Sequence, residues 1–271
     1  MDNRPVGIFD SGLGGLTAVT ALRALLPGES IVYFGDNGRN PYGLRSVQEL
    51  RRMAQEDLEL AASFNAKAVI AACGTVSSVA GDVLANFRLP VFNVLDASTA
   101  KIAKTPGDAP LGVIATSASI KNGAFERRLR ALCPGREIVA VPCQDFVRLI
   151  ESGHTSPEDE ALRESVEESL AVIKERGVCA LLLGCTHFGV ISEAISAYLG
   201  AEVELVDAAA CAAGSMAEYL IANDMCAGRG EESYYTSGDP ASFEHYASAL
   251  LGYSISGKVG TAQAGGAETE I

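Results

Sequence analysis

Short runs of aliphatic residues alternate with longer amphipathic segments along most of the chain. Runs such as Ala68–Ala71 and Ala180–Leu183 show no polar alternation, which is typical of parallel strands covered on both faces. Because amphipathic helical segments fill the intervals, the pattern predicts an α/β protein with parallel sheets. Strands are predicted over Val6–Phe9, Ile31–Phe34, Ala68–Ala71, Val91–Val94, Gly112–Ala115, Ile138–Val141, Ala180–Leu183, Val203–Val206 and Ser233–Thr236.

The clearest helices are predicted over Leu44–Phe64, Glu158–Arg176 and Phe243–Leu251. Ser156 is expected to be the N-cap of the second helix, since a proline and two acidic residues follow it. These helices are long enough to cover the faces of a parallel sheet.

A turn-rich segment at residues 105–110, Thr-Pro-Gly-Asp-Ala-Pro, precedes a new strand and is the best candidate for a linker. We therefore expect two similar, pseudo-symmetric α/β domains, residues 1–97 and 98–207, with the active site in the cleft between them. Residues 208–256 are expected to complete the first domain. Residues 257–271 contain few large apolar side chains and are predicted to form a loose tail.

Two short turns, each with a cysteine, follow matched aliphatic strands. Residues 72–75 are Ala-Cys-Gly-Thr and residues 184–187 are Gly-Cys-Thr-His. Ligands of open α/β sheets bind at the carboxyl ends of strands, where the N–H groups of the next helix can bind an anion. A lone cysteine is most often a small buried hydrophobic residue. Two cysteines in matched settings instead indicate two thiols that face one anion pocket, as a symmetric reaction would require.

The first strand leads into a glycine-rich loop that has two interpretations. Gly12 and Gly14 fit the dinucleotide fingerprint G-x-G-x-x-G, although Thr17 occupies its third position, and Asp36 could bind a ribose. Asp10 ends the strand, however, and a carboxylate beside a pyrophosphate is unfavourable, whereas it suits a thiol or an ammonium group. Asp10 could also be only the N-cap of the following helix.

The second predicted strand is followed by a long loop, and loops of this length at a strand's carboxyl end are often functional. Tyr42 could offer a hydroxyl to a ligand and Gly43 a backbone N–H, or Pro41 and Gly43 could simply shape a turn. His187 lies two residues beyond Cys185, close enough to relay a proton to a thiol. We interpret His154 and His245 as surface residues, and the other cysteines as buried hydrophobic residues: Cys133, Cys143, Cys179, Cys211 and Cys226.

Composition narrows the classes of function. The 271 residues include 21 Lys and Arg against 34 Asp and Glu, a formal net charge of −13, which argues against nucleic acid or an anionic membrane as a partner. Seven cysteines without a Cys-x-x-Cys pair indicate reduced thiols rather than disulfides or zinc. No apolar run is long enough to span a bilayer and the start is unlike a signal peptide, so we expect a cytoplasmic protein.

Taken together, the motifs resemble the glutamate racemases of the aspartate/glutamate racemase superfamily, from Val6 to about Leu251. Their order and spacing make the resemblance specific. The matching segments are Asp10-Ser11-Gly12-Leu13-Gly14-Gly15, Tyr33-Phe34-Gly35-Asp36 with Pro41-Tyr42-Gly43, Cys73 with Thr75, Gly184-Cys185-Thr186-His187-Phe188, and Tyr235-Thr236-Ser237-Gly238-Asp239.

The resemblance implies an enzyme without cofactor or metal that interconverts L- and D-glutamate for bacterial peptidoglycan and commonly works as a homodimer. Cys73 and Cys185 would be the two catalytic acid/bases. Asp10 would assist Cys73, and His187 would assist Cys185. The implied substrate contacts are Asp10, Ser11, Tyr42, Gly43, Gly74, Thr75, Thr186 and His187.

Three positions depart from the pattern that the resemblance implies. Gly74 replaces an asparagine, Gly189 replaces a proline, and residues 206–209 are Val-Asp-Ala-Ala instead of an Asp-Ser-Gly type sequence. Since the missing amide would contact substrate, we expect Gly74→Asn to lower the KM for glutamate. The alternatives are an aspartate racemase or another racemase whose specificity Gly74 alters, and a protein that binds nucleotides or amino acids without chemistry. Aspartate racemases typically have a glutamate where His187 stands, which favours glutamate as the substrate.

Overall fold

Two parallel β-sheets organise the fold in a computed structural model that describes residues 1–265. All strand pairs within both sheets are parallel. The six-stranded sheet has the order β10 (Val259–Thr261), β9 (Glu232–Thr236), β2 (Ile31–Gly35), β1 (Val6–Asp10), β3 (Ala68–Ala71), β4 (Val91–Asn93). The four-stranded sheet has the order β6 (Ile138–Pro142), β5 (Leu111–Ala115), β7 (Ala180–Leu183), β8 (Glu204–Asp207).

Helices connect the strands and cover the sheets. They are α1 (Leu16–Leu25), α2 (Val47–Ser63), α3 (Gly74–Val79), α4 (Gly81–Ala85), α5 (Val94–Ile102), α6 (Ser117–Asn122), α7 (Ala124–Leu132), α8 (Gln144–Glu151), α9 (Glu160–Glu175), α10 (Ser192–Leu199), α11 (Ala208–Ala222) and α12 (Pro240–Leu251). Short 3₁₀ helices cover Asn37–Arg39, Tyr42–Leu44 and Thr186–Ile191. No helix among residues 1–265 is long and apolar enough to cross a membrane.

The predicted strands are confirmed, with ends that differ by one residue at most. Every residue of β1, β3 and β7 is buried, as expected for aliphatic strands covered on both faces. The predicted ends of the helices were less accurate than those of the strands. The predicted N-cap Ser156 is wrong: Asp159 caps α9, accepting from the Leu162 N–H at 2.9 Å, because Ser156 instead donates its hydroxyl to Glu158.

The six-stranded sheet takes its strands from two separate parts of the chain. Strands β1 to β4 and β9 share one sheet, whereas β5 to β8 form the other. Helix α11 begins after β8, and its Ala212 and Met216 pack in one core with Leu16 and Val19 of α1. The chain therefore returns to the first sheet after residue 207. The domain boundaries themselves remain predictions.

The loose tail predicted for residues 257–271 is wrong where the structure describes it. Strand β10 pairs with β9, and Ala262 beyond it is buried with Phe34. A short edge strand is held by backbone hydrogen bonds and therefore needs few large apolar side chains, which is why composition alone missed it. Gly260 also leaves room for the Tyr235 ring, which lies 2.9 Å from where a Cβ atom would be. Residues 266–271 of the predicted tail lie outside the described residues.

Candidate active site

A cavity of about 540 Å³ lies where the carboxyl ends of β1, β3, β5 and β7 meet. Residues from both sheets line it. All of the sequence-predicted site residues are among them: Asp10, Ser11, Tyr42, Gly43, Cys73, Gly74, Thr75, Cys185, Thr186 and His187. The structure thus brings together two cysteine turns that are far apart in the chain.

The first thiol is deeply buried. Cys73 follows β3 and is the N-cap residue of α3, and its Sγ donates to the Ser11 hydroxyl at 3.5 Å. Burial, reinforced by the nearby negative charge of Asp10, raises the pKa of Cys73 to about 12. Cys73 is therefore a protonated thiol at neutral pH in the absence of substrate.

Asp10 joins the two walls of the cavity. Its Oδ2 accepts from the Gly12 N–H at 2.9 Å, and the Thr186 hydroxyl donates to its Oδ1 at 3.5 Å. Burial raises the pKa of Asp10, against the opposing influence of His187 and of backbone N–H groups. The interpretation of Asp10 as a helix N-cap is wrong, because Gly15 occupies that position without a side-chain cap.

The second thiol lies beside a cation. The Nδ1 atom of His187 is 3.7 Å from Cys185 Sγ, and its Nε2 atom is 3.2 Å from Glu151 Oε1. Burial lowers the pKa of His187, but the contacts with Cys185 and Glu151 outweigh burial and raise it to about 10. His187 is therefore an imidazolium at neutral pH, held between a carboxylate and a thiol.

Sequence reasoning missed Glu151 and the polar turn at 116–119. Residues 116–119, Thr-Ser-Ala-Ser, directly follow β5 and line the cavity, so the rule that found the cysteine turns would also have found them. Glu151 is the last residue of α8, and no motif around it in the sequence indicated a functional role. It reaches His187 because α8 packs on the second cysteine turn, with the Phe146 and Phe188 rings 5.4 Å apart, edge to face.

The predicted role of the Tyr42 hydroxyl is wrong. The hydroxyl donates to Asp36 and lies 3.1 Å from Asp57, in a buried cluster away from a substrate. Asp36 is fully buried and also accepts from the Ser237 hydroxyl at 2.6 Å, so it is not placed to bind a ribose. At the cavity, Gly43 can offer its backbone N–H, whereas the Tyr42 N–H donates to Asn40 Oδ1 at 3.3 Å.

The glycine loop packs against the second cysteine turn. A Cβ atom on Gly14 would lie 2.5 Å from both Thr186 Oγ1 and His187 Nδ1. The space that a pyrophosphate would need at this loop is filled by those two side chains, which disfavours the dinucleotide interpretation.

The structure explains two of the departures by close packing. A Cβ atom on Gly74 would lie 2.5 Å from the backbone carbonyl oxygen of Gly184, although the backbone at Gly74 is not left-handed. This close packing argues against our expectation that Gly74→Asn would improve binding, since any side chain must displace backbone. Gly189 makes room for the Asp207 carboxylate, whose Oδ1 caps α11 by accepting from the Ala210 N–H at 2.9 Å.

Comparison with known proteins identifies the family. The family model described as Asp/Glu/hydantoin racemase matches residues 17–216. The chain belongs to this family. It is 35% identical to a glutamate racemase of Thermoanaerobacter pseudethanolicus, over 94% of this chain and 96% of the relative. It is 38% identical to a glutamate racemase of Chlorobaculum tepidum, over 82% of this chain and 81% of the relative.

Solved structures agree over nearly the whole chain. Glutamate racemase isoform RacE1 of Bacillus anthracis superposes with a TM-score of 0.89 at 29% identity, covering 97% of this chain and 98% of that one. The glutamate racemase of Francisella tularensis, solved with D-glutamate, gives 0.88 at 31% identity, covering 98% and 99%. The resemblance and the α/β fold class inferred from sequence are confirmed.

Proposed function

We propose that this protein is a glutamate racemase that interconverts L- and D-glutamate by a two-thiol mechanism. The observation that carries the proposal is that Cys73 and Cys185 come from different sheets and line the same cavity. Removing hydrogen from one face of Cα and returning it on the other requires one acid/base on each side.

The chemistry conserves protons and charge. In the L-to-D direction, the Cys185 thiolate removes the α-hydrogen, so the Cα–H bond breaks and an S–H bond forms. The Cys73 thiol then transfers its proton to the opposite face of the carbanion-like Cα, which leaves Cys73 as thiolate. The reverse reaction exchanges these roles. The assignment of Cys185 to the L-enantiomer rests on family resemblance.

Groups at the substrate carboxylate must stabilise the carbanion-like state. Thr75 and Thr186 line the cavity beside the two thiols; Thr75 can donate its hydroxyl there, and Thr186, whose hydroxyl faces Asp10, can donate its backbone N–H. Each well-aimed donor in comparable oxyanion sites contributes roughly 3–4 kcal/mol. We assign to Asp10 the assistance of Cys73 and to His187 the assistance of Cys185.

The cellular setting is part of the same proposal. Seven free cysteines suit a reducing cytoplasm, and D-glutamate made there would supply peptidoglycan synthesis. We also propose a homodimer, on the family resemblance alone. Light scattering after size-exclusion chromatography would measure the mass of the particle.

The decisive experiment follows solvent deuterium into the α-position of glutamate. Purified protein dialysed against chelator, with no pyridoxal phosphate or nucleotide added, should exchange the α-hydrogen and racemise both enantiomers, with aspartate a much poorer substrate. Cys73→Ser and Cys185→Ser should each lower kcat by about 10²–10⁴-fold, the contribution of a positioned acid/base.

Cys133→Ser is the control, because Cys133 is a partly buried free thiol after α7 that faces the Ala103 carbonyl oxygen and does not line the cavity. If no exchange occurs, the alternative of a protein that binds without chemistry would be favoured. If a metal restores activity, the cofactor-independent mechanism would be refuted. Equal turnover of aspartate would favour the alternative specificity.

A further inference from the structure

A buried cluster of charged groups supports the part of the cavity wall formed by Tyr42 and Gly43. This carboxylate cluster consists of Asp36, Arg39, Tyr42, Glu56 and Asp57. Asp36 follows β2, Arg39 and Tyr42 lie in the two 3₁₀ helices after it, and the other two lie in the middle of α2. The cluster therefore ties the loop after β2 to a long helix.

Arg39 is the central cation. It pairs with Asp36 Oδ2 at 2.5 Å, with Asp57 Oδ1 at 2.8 Å and with Glu56. The side chains of Asp36 and Asp57 are completely buried. Three carboxyl groups thus surround one guanidinium, and two of them have no access to water.

The contacts of the Tyr42 hydroxyl indicate that one of the two buried aspartates carries a proton. Its oxygen contacts Asp36 Oδ2 and also Asp57 Oδ2, the latter at 3.1 Å, but the hydroxyl has only one proton to donate. Two ionised carboxylates could not both be satisfied there. A protonated Asp57 satisfies the second contact by donating to the Tyr42 oxygen.

The two aspartates are distinguished by their other partners. Asp36 accepts from Arg39 Nε and, at 2.6 Å, from the Ser237 hydroxyl, as well as from Tyr42. A group that only accepts is an ionised carboxylate. Asp57 has Arg39 and Tyr42 as its partners, and the Arg39 contact needs only a carbonyl oxygen.

The charges of the facing groups agree with this assignment. Glu56 also faces the exposed Arg52, with Oε1 3.5 Å from Nε, and the exposed Arg45 donates to the Arg39 carbonyl oxygen at 3.0 Å, so these outer charges reach solvent. Inside the cluster, an ionised Asp36 balances Arg39 when Asp57 is neutral. An ionised Asp57 would leave one excess negative charge in a buried cluster, which is costly. In the same direction, burial and the nearby Asp36 raise the pKa of Asp57 well above its ordinary value, despite Arg39.

We propose that Asp57 is a neutral carboxylic acid at neutral pH and a positioning residue, which donates its proton to Tyr42 and thereby fixes the Tyr42–Gly43 backbone at the cavity. The positioning role rests on the proposed function, in which the Gly43 backbone N–H contacts the substrate. The protonation state does not.

The kinetic test compares variants of the two aspartates. Asp57→Asn should keep the KM for glutamate within about twofold, because an amide can donate to Tyr42 and accept from Arg39 as the acid does. Asp57→Ala and Asp36→Asn should each raise KM roughly tenfold with a smaller change in kcat, since each breaks hydrogen bonds of the cluster. Glu59→Gln, an exposed acid on the same helix, is the control and should match wild type.

Infrared difference spectroscopy of the substrate-free protein tests the proton directly. The carbonyl stretch of a protonated carboxyl group should be present in wild type and in Glu59→Gln and absent in Asp57→Asn. As pH rises through the pKa of Asp57, the wild-type KM should rise, while that of Asp57→Asn should not change over the same range.

A KM for Asp57→Asn as high as that of Asp57→Ala would overturn the proposal, as would an infrared spectrum that Asp57→Asn leaves unchanged. A wild-type protein without racemase activity would instead refute the proposed function, and the infrared signal of Asp57 would still be expected. Asp57→Asn retains the size of the side chain, so the proposal can still be tested with this variant if Asp57→Ala fails to fold.

Discussion

Individual residues give the two thiols different surroundings. Cys73 faces a serine hydroxyl and a buried carboxyl group, whereas Cys185 faces an imidazolium whose other nitrogen contacts Glu151. Burial keeps Cys73 protonated, so without substrate this thiol already holds a proton for one face of Cα.

We predict that Glu151→Gln shifts the alkaline limb of kcat/KM for L-glutamate to lower pH. The Glu151 contact helps to raise the pKa of His187 to about 10, so removing its charge lowers that pKa and the imidazolium is lost earlier as pH rises. The measurement is a pH profile of initial rates. Glu193→Gln, an exposed acid of α10, should leave the limb in place. An unmoved limb in Glu151→Gln would show that Glu151 does not tune His187.

Among the elements, the two cysteine turns approach each other closely. The N-terminus of α3 meets the end of β7 where Gly74 faces the Gly184 carbonyl oxygen, and Gly14 meets Thr186 and His187 in the same region. Close backbone approach of this kind is a specific use of glycine. These contacts set how far apart the elements that carry the thiols can lie.

We predict that Gly74→Ala lowers kcat in both directions by about tenfold or more, because even a misplacement of about 1 Å in a catalytic site can cost that much. Gly74→Asn should be at least as harmful. Steady-state rates for both enantiomers would measure this. Gly81→Ala is a matched control, because Gly81 opens the next helix and has open space around its Cβ position. A Gly74→Ala enzyme with wild-type kcat would show that moving the two cysteine turns apart does not affect catalysis.

For the whole molecule, stability depends on a buried ion pair at the end of the sheet opposite the cavity. Lys67 Nζ lies 2.7 Å from Glu29 Oε1, and both side chains are essentially inaccessible to solvent. The Lys67 ammonium also donates to the backbone oxygens of Asp2 and Met225, at 2.7 and 2.6 Å. It therefore links the chain start, β3 and the segment after α11.

We predict that Lys67→Met lowers the free energy of unfolding by about 3–5 kcal/mol, because it leaves the Glu29 carboxylate buried without its cation. The double variant Lys67→Met/Glu29→Leu should lose less. Urea unfolding followed by circular dichroism would measure both. Arg51→Gln breaks an exposed pair with Asp82 and should have a much smaller effect. A loss in Lys67→Met no larger than in Arg51→Gln would contradict the prediction, and kcat should be unchanged because the pair is remote from the cavity.

Nine strands, their parallel arrangement and the two cysteine turns could be predicted from the sequence alone. Those features depend on short aliphatic runs and on what directly follows them, and such signals are local. The same rule applied to Thr116–Ser119 would have extended the predicted site, since that turn follows β5.

Features that depend on distant partners could be read only from the folded chain. The direction of the Tyr42 hydroxyl is set by α2, the contact of Glu151 with His187 by the packing of α8, and the close contact of Gly74 by the turn before Cys185. Strand β10 formed because β9 offered an edge. In each case the deciding atoms belong to another part of the chain, so no local pattern could carry the information.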